Sequence, residues 1–134
     1  MAGTFNLVVV APAGEVLNTE AEFVLAPGAE GELGILANHA PLIANLVIGV
    51  VRYTQDGKVE KIAISGGFME VAQNKVTILA DTAERAESID VDRAEAAKER
   101  AEKRLREKQS ETDMIRAEVA LKRSLARLRA TDKL

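Results

Sequence analysis

The sequence has no cysteine, one histidine and only three prolines among 134 residues. Without cysteine there is no disulfide framework and no thiolate metal site. A single histidine excludes His-pair metal sites and leaves a His-based catalytic dyad little to stand on. Charge of one sign is lacking too. The 18 basic and 21 acidic residues give a net charge of −3, too balanced for a chain whose main work is gripping nucleic acid or acidic lipid. Long apolar runs are missing: Ala40–Ile48 is broken by Pro41 and Asn45, and nothing approaches the ~18 apolar residues of a spanning helix. Met1–Phe5 carries neither a secretory nor an Arg-rich transit pattern, so a soluble chain is expected. No Gly-rich loop precedes a Lys-Ser/Thr pair, which excludes the ordinary nucleotide-hydrolase site. His39 lies in a turn-rich stretch with no nucleophile near it in sequence, and reads as structural.

What is present divides at a seam. All nine glycines, all three prolines and all four aromatics lie at or before Phe68. From Asp81 onward the chain is mostly Ala, Glu, Lys, Arg and Leu, the composition of long helices. Residues 1–82 carry 4 basic and 9 acidic groups, and residues 83–134 carry 14 and 12. The seam predicts a boundary near Ala80–Ser88, with a β domain over 1–84 and a helical domain over 85–134.

The first part predicts short strands joined by tight turns, hence a β-sandwich or barrel. Phe5–Val10 and Ala21–Ala26 read as strands. Asp56-Gly57, between Val50–Thr54 and Val59–Ile64, is a hairpin signal because a type I′ turn needs positive φ at both central residues. Ser65-Gly66-Gly67 is expected to break the next run. A second hairpin is expected around Gln73-Asn74-Lys75. The second part predicts two helices, about 92–108 and 114–129, linked by Gln109–Asp113 with Ser110 and Asp113 resembling a capping box. The first has an alanine-rich face (Ala94, Ala97, Ala101, Leu105) that buries little. The second has an apolar stripe of Met114, Ala117, Leu121, Leu125 and Leu128. The short link makes the pair an antiparallel hairpin.

Arg93 and Arg100, seven apart, share a face of the first helix, as do Arg123 and Arg127, four apart, on the second. Two readings stand side by side. Exposed arginines at helical spacing are ordinary solvated side chains. Four guanidiniums brought together by the hairpin would instead make an anion site suited to a polyphosphate. Geometry sets a condition on the second reading. Arg123 and Arg127 lie roughly opposite the apolar stripe, so they share a ligand with the first helix only if the stripe packs elsewhere, for instance on the β domain.

Gly31-Glu32-Leu33-Gly34-Ile35-Leu36-Ala37-Asn38-His39-Ala40-Pro41-Leu42 resembles the signature stretch of the ε subunits of bacterial F-type ATP synthases. So does Ser65–Val71 followed by Val76–Ala80. The resemblance covers the whole chain and departs at Ala37-Asn38, where many members have Pro-Gly. It implies a β-sandwich followed by an antiparallel two-helix hairpin. It also implies a non-catalytic rotor subunit on the cytoplasmic side of the bacterial membrane, peripheral to it. The implied partners are the γ subunit, the c-ring and the α/β catalytic head, the last obstructed by the extended hairpin during ATP hydrolysis. For the γ and c-ring surface, the stretch points to Leu33, Ile35, Leu36, His39 and Leu42. The inhibitory basic face would be Arg116, Lys122, Arg123 and Arg127. Ile89-Asp90-Val91-Asp92-Arg93-Ala94 is similar to the motif of an ATP-binding, thermophilic bacillus-like subset. The match implies ATP as an allosteric ligand, with no metal assigned, at Glu84, Ile89, Asp90, Arg93, Ala94, Arg100, Arg123 and Arg127. Guanidiniums suit the triphosphate, and Asp90 can accept from the adenine amino group. The alternative is a purely structural coupling subunit in which ATP sensing plays no part.

Overall fold

The structure is a computed structural model that describes residues 3–107 and 110–133. Eight strands come first: β1 (Phe5–Ala11), β2 (Gly14–Ala21), β3 (Phe23–Gly28), β4 (Gly31–Leu36), β5 (Leu42–Gln55), β6 (Lys58–Ala72), β7 (Lys75–Ala80) and β8 (Ala83–Arg85). A single 3-10 turn, Ala86–Ser88, leads to α1 (Val91–Glu107) and α2 (Glu111–Ala130). The strands run in the order β2-β1-β7-β6-β5-β3-β4, with β8 paired to β6. All pairs are antiparallel except β1 with β7.

The long strands β5 and β6 pair along their whole length and run through both layers of the sandwich. On its other edge β6 changes partner, pairing β8 at Ile62–Ile64 and β7 from Gly67 onward. Ser65-Gly66-Gly67 therefore does not end a strand. Gly66 and Gly67 take φ of 99° and 141°, so β6 bends without breaking. A Cβ on Gly67 would collide with the Leu79 carbonyl oxygen, and only glycine lets β7 approach there. Both expected hairpins form. Asp56 and Gly57 have φ of 52° and 77°, Gln73 and Asn74 of 50° and 58°, and each pair closes a two-residue turn in register. The core gathers Phe5, Leu7, Val24, Ile35, Val51, Tyr53, Ile62, Met69 and Ile78 from both halves of the sheet. Burial pushes the Tyr53 hydroxyl pKa upward, while the Arg85 guanidinium beside it pulls it partway back.

Three local expectations need correction. The strand expected over Ala21–Ala26 begins at Phe23 and runs through Pro27 to Gly28, because β4 supplies its ladder partners up to Gly28↔Gly31. Residues 31–36, not expected as a strand, form β4. In its alternation Ile35 points into the core at 1% exposure, while Leu36 faces out at 57%. Ile35 is thus a core residue and not part of an exposed partner surface. The second helix starts at Glu111, three residues earlier than expected, because Ser110 caps it. The Ser110 hydroxyl oxygen accepts from Asp113 N at 3.3 Å and donates to Asp113 Oδ2 at 2.9 Å. Lys108 and Gln109, placed by the sequence at the end of the first helix and in the link, lie outside the described residues.

Candidate functional site

The site grows from the way α2 is buried. At about 100° per residue, Ala117, Ser124 and Leu128 lie on one side of α2, and Ala126 and Ala130 lie roughly opposite. All five are buried. Ala126 and Ala130 pack with Val50, Ala63 and Ile89, with Ile48 at the margin, so this side meets the sandwich. The other side meets α1, whose buried residues are Ala94 and Ala101. The packing is three-body, as the arginines require, but by a different route from the one expected. Two small alanines on the far side contact the sheet, rather than the leucine stripe. Arg123 and Arg127 fall between the two buried sides, in the corner where sandwich, α1 and α2 converge.

That corner is a cavity of about 510 Å³ lined by Glu84, Ser88, Asp90, Arg93, Ala94, Ala97, Arg100, Ala120, Arg123 and Arg127. Its size is within the roughly 300–1,000 Å³ usual for small-molecule sites. Four arginines from two helices share it. Arg127 Nε donates to Glu84 Oε1 at 2.6 Å. Arg93, Arg100 and Arg123 make no side-chain ion pair among the described residues. Three unpaired guanidiniums around one concavity repel each other and favour an anionic guest.

Asp90 has a second task that its motif does not announce. Its Oδ1 accepts from Arg93 N at 3.1 Å and its carbonyl oxygen from Ala94 N at 3.0 Å, so Asp90 caps α1. The cap starts the helix such that Arg93, Ala97 and Arg100 face the cavity. Ile89 is 9% exposed and belongs to the apolar contact between sandwich and α2. Its side chain supports the site from beneath instead of lining it. Ser88, Ala97 and Ala120 line the cavity and were not anticipated. Only their spacing could have flagged them: Ala97 is one turn from Arg93 and Ala94, and Ala120 one turn from Arg123. Arg116 and Lys122 are exposed on α2 and do not line the cavity.

The sandwich presents its own surfaces. Leu36 and His39 are exposed, and Leu33 and Leu42 are half-buried. Leu33 and Leu42 also line a groove of about 490 Å³ with Gly28–Glu32 and Ile43–Asn45. On β5, β6 and β7 the large apolar residues Ile43, Phe68 and Leu79 are 73%, 54% and 53% exposed and border one shallow depression. Isolated small domains rarely leave such side chains clustered in water. Among the described residues, no helix is long and apolar enough to cross a membrane. Among them, too, no three His, Cys, Asp or Glu side chains gather where they could hold a metal ion.

The chain is built in two parts, a sandwich and a docked helical hairpin, and known proteins match each part. The family profile for the ATP synthase delta/epsilon chain beta-sandwich domain matches residues 4–86, and that for its long alpha-helix domain matches 87–132. The ATP synthase epsilon chain of Desulfitobacterium hafniense strain Y51 is 65% identical over 130 residues, covering 97% of this chain and 98% of its own. That of Desulforamulus reducens is 54% identical, covering 98% and 100%. Among solved structures, a chain of the Euglena gracilis mitochondrial ATP synthase (OSCP/F1/c-ring) superposes with a TM-score of 0.82 at 27% identity, covering 95% of this chain and 80% of that one. A chain from the Tetrahymena thermophila central stalk and c-ring shares the fold, at TM-score 0.60 and 16% identity. The chain belongs to the ATP synthase delta/epsilon family. Within it, this is an epsilon chain of the F-type central stalk, a stalk subunit rather than the catalytic one.

Proposed function

We propose that this subunit couples γ to the c-ring, that its hairpin brakes ATP hydrolysis when it extends into the α/β head, and that bound ATP holds the hairpin compact. One observation carries the regulatory part. Arg93, Arg100, Arg123 and Arg127 converge with Glu84 and Asp90 on a single cavity, and that cavity exists only while α1, α2 and the sandwich are packed together. A polyanion bound there stabilises the compact state by its differential affinity and by nothing else. The exposed Leu36 and His39, with Ile43, Phe68 and Leu79, are the surfaces this reading assigns to the stalk partners. The subunit then sits peripherally, on the cytoplasmic face of the bacterial membrane.

Calorimetric titration of the full chain with ATP tests the regulatory part. The wild type is expected to bind one ATP. Arg93→Ala and Arg100→Ala are expected to bind about tenfold more weakly or worse, since each removes a charge-assisted contact. A wild type that neither evolves heat nor gains thermal stability with ATP would leave coupling as the subunit's whole task.

A further inference from the structure

Glu84 is an odd member of a triphosphate site, because a carboxylate beside a tetra-anion repels it. Its geometry gives it another task. Glu84 sits on β8, which is stitched to β6 through Ala63↔Glu84, so it is fixed to the sandwich. Arg127 sits on α2. Glu84 Oε1 accepts from the Nε of Arg127, and not from either terminal nitrogen. Arginine carries five N–H donors in a planar fork. Occupying Nε fixes the plane of the guanidinium and leaves the Nη donors for another acceptor. Arg127 lines the cavity, which is where those donors can be used. Both side chains are about one-third exposed, at 37% and 32%, so the pair contributes orientation more than stability. Glu84 and Arg127 also border a second, small pocket with Ala63, Ser65 and Thr82, which places the pair on the seam between sandwich and α2.

We infer that Glu84 is a positioning residue that acts on the ligand through Arg127. It holds a phosphate-gripping arginine of α2 against the sandwich, so that occupying the cavity and docking the hairpin become one event. The inference rests on the polyphosphate reading of the cavity, and it assigns Glu84 no contact with the base.

The test compares ATP with inorganic tripolyphosphate, which has no base, on the full chain and its Glu84→Ala, Glu84→Gln, Arg127→Ala and Glu84→Ala/Arg127→Ala variants. Amide exchange of α2 in the free proteins reports docking. Glu84→Ala is expected to weaken both ligands by the same factor, about tenfold. It is expected to cost little further in the Arg127→Ala background. Glu84→Gln, whose amide oxygen can still accept from Nε, is expected to recover much of the loss. A loss of ATP affinity with tripolyphosphate unaffected would make Glu84 a base contact and overturn the inference. Tighter tripolyphosphate binding by Glu84→Ala would make it a competitor and overturn it equally, as would a full loss persisting without Arg127, or a Gln variant no better than Ala. A wild type that binds neither ligand is a different failure: it removes the nucleotide reading itself, while α2 exchange in Glu84→Ala still reports whether the pair holds the hairpin.

Discussion

At the scale of single residues, Asp90 shows how a motif can hide two causes. It faces the cavity, and it also caps α1 through Arg93 N. The Asp-x-x-Arg spacing in this chain is therefore partly the spacing of a helix N-terminus, with the capping residue and N3 three apart. Replacing Asp90 with Ala removes both functions and confounds them. Asp90→Ser keeps a capping oxygen but withdraws the carboxylate. We expect Asp90→Ala to lose about 1 kcal/mol of stability, the usual cost of a lost cap, and Asp90→Ser to stay near the wild type. Both should bind ATP at least about tenfold more weakly. Urea melts alongside calorimetry separate the two effects. Equal ATP affinity in Asp90→Ser and the wild type would show that Asp90 is a cap and nothing more. Asp90 was reached only through the motif resemblance, whereas the arginines were visible in sequence because charge at helical spacing is a local pattern. The burial of Ile35 and Ile89 was not, since a residue's side of a strand or its place under a helix is fixed by partners distant in sequence.

At the scale of elements, α2 explains why part of the site was illegible. A leucine stripe announces one buried face, and the sequence displays it. Ala126 and Ala130 announce nothing, because alanine is equally at home exposed on a helix. They make the second contact because their small size lets the helix backbone come close to Val50 and Ala63. The strands divide in the same way. Asp56-Gly57 fixed its hairpin by turn chemistry alone. Gly14–Ala21 and Gly31–Leu36 carry too many Gly and Glu residues to read as strands, and owe their form to pairing with β1 and β3. The alanine contact also makes docking weak: at ~0.8 kcal/mol per methyl, two alanines contribute only about 1–2 kcal/mol. Ala126→Glu should therefore undock the hairpin, because it buries an unpaired charge. Amide exchange is expected to show α2 unprotected and β5 and β6 unchanged. The sandwich closes its own ladder around its own core, so a variant that loses β5 and β6 protection as well would refute that independence.

At the scale of the whole molecule, the compact state is held by modest forces of the size a ligand can overrule. Besides the alanines, two ion pairs among the described residues tie α2 and the turn that follows it to the sandwich, Arg127 with Glu84 and Asp132 with Lys61. Partly exposed pairs of this kind contribute about 0–1 kcal/mol each. Docking then amounts to a few kcal/mol, while a full reversal from 1:99 to 99:1 takes about 5.5 kcal/mol of differential binding. Three arginines without ion-pair partners among the described residues line one cavity and can supply much of that when a triphosphate arrives, at roughly 1.5–3 kcal/mol gross per charge-assisted contact, less the cost of ordering. The same arginines cannot serve two masters. Arg123 and Arg127 face the cavity in the compact state, and in the extended state of the proposed brake they would face the catalytic head. Arg116 and Lys122, exposed and not part of the cavity lining, are left for the head alone. This division predicts three distinct behaviours in the reassembled enzyme. Neutralising Arg116 and Lys122 should relieve inhibition of ATP hydrolysis yet leave ATP affinity within about twofold of the wild type, since neither residue lines the cavity. Neutralising Arg123 and Arg127 should damage both the brake and the sensor. Asp90→Ser should leave the brake intact and shift its release by ATP to at least about tenfold higher ATP concentration. Raising ionic strength from 0.05 to 0.5 M should weaken the brake in the wild type, as screening predicts for a basic helix against an acidic surface, and should change little once all four bases are neutral. Hydrolysis rates across ATP and salt concentrations check all of these together. An enzyme lacking the four bases that is as latent and as salt-sensitive as the wild type would place the brake outside this helix.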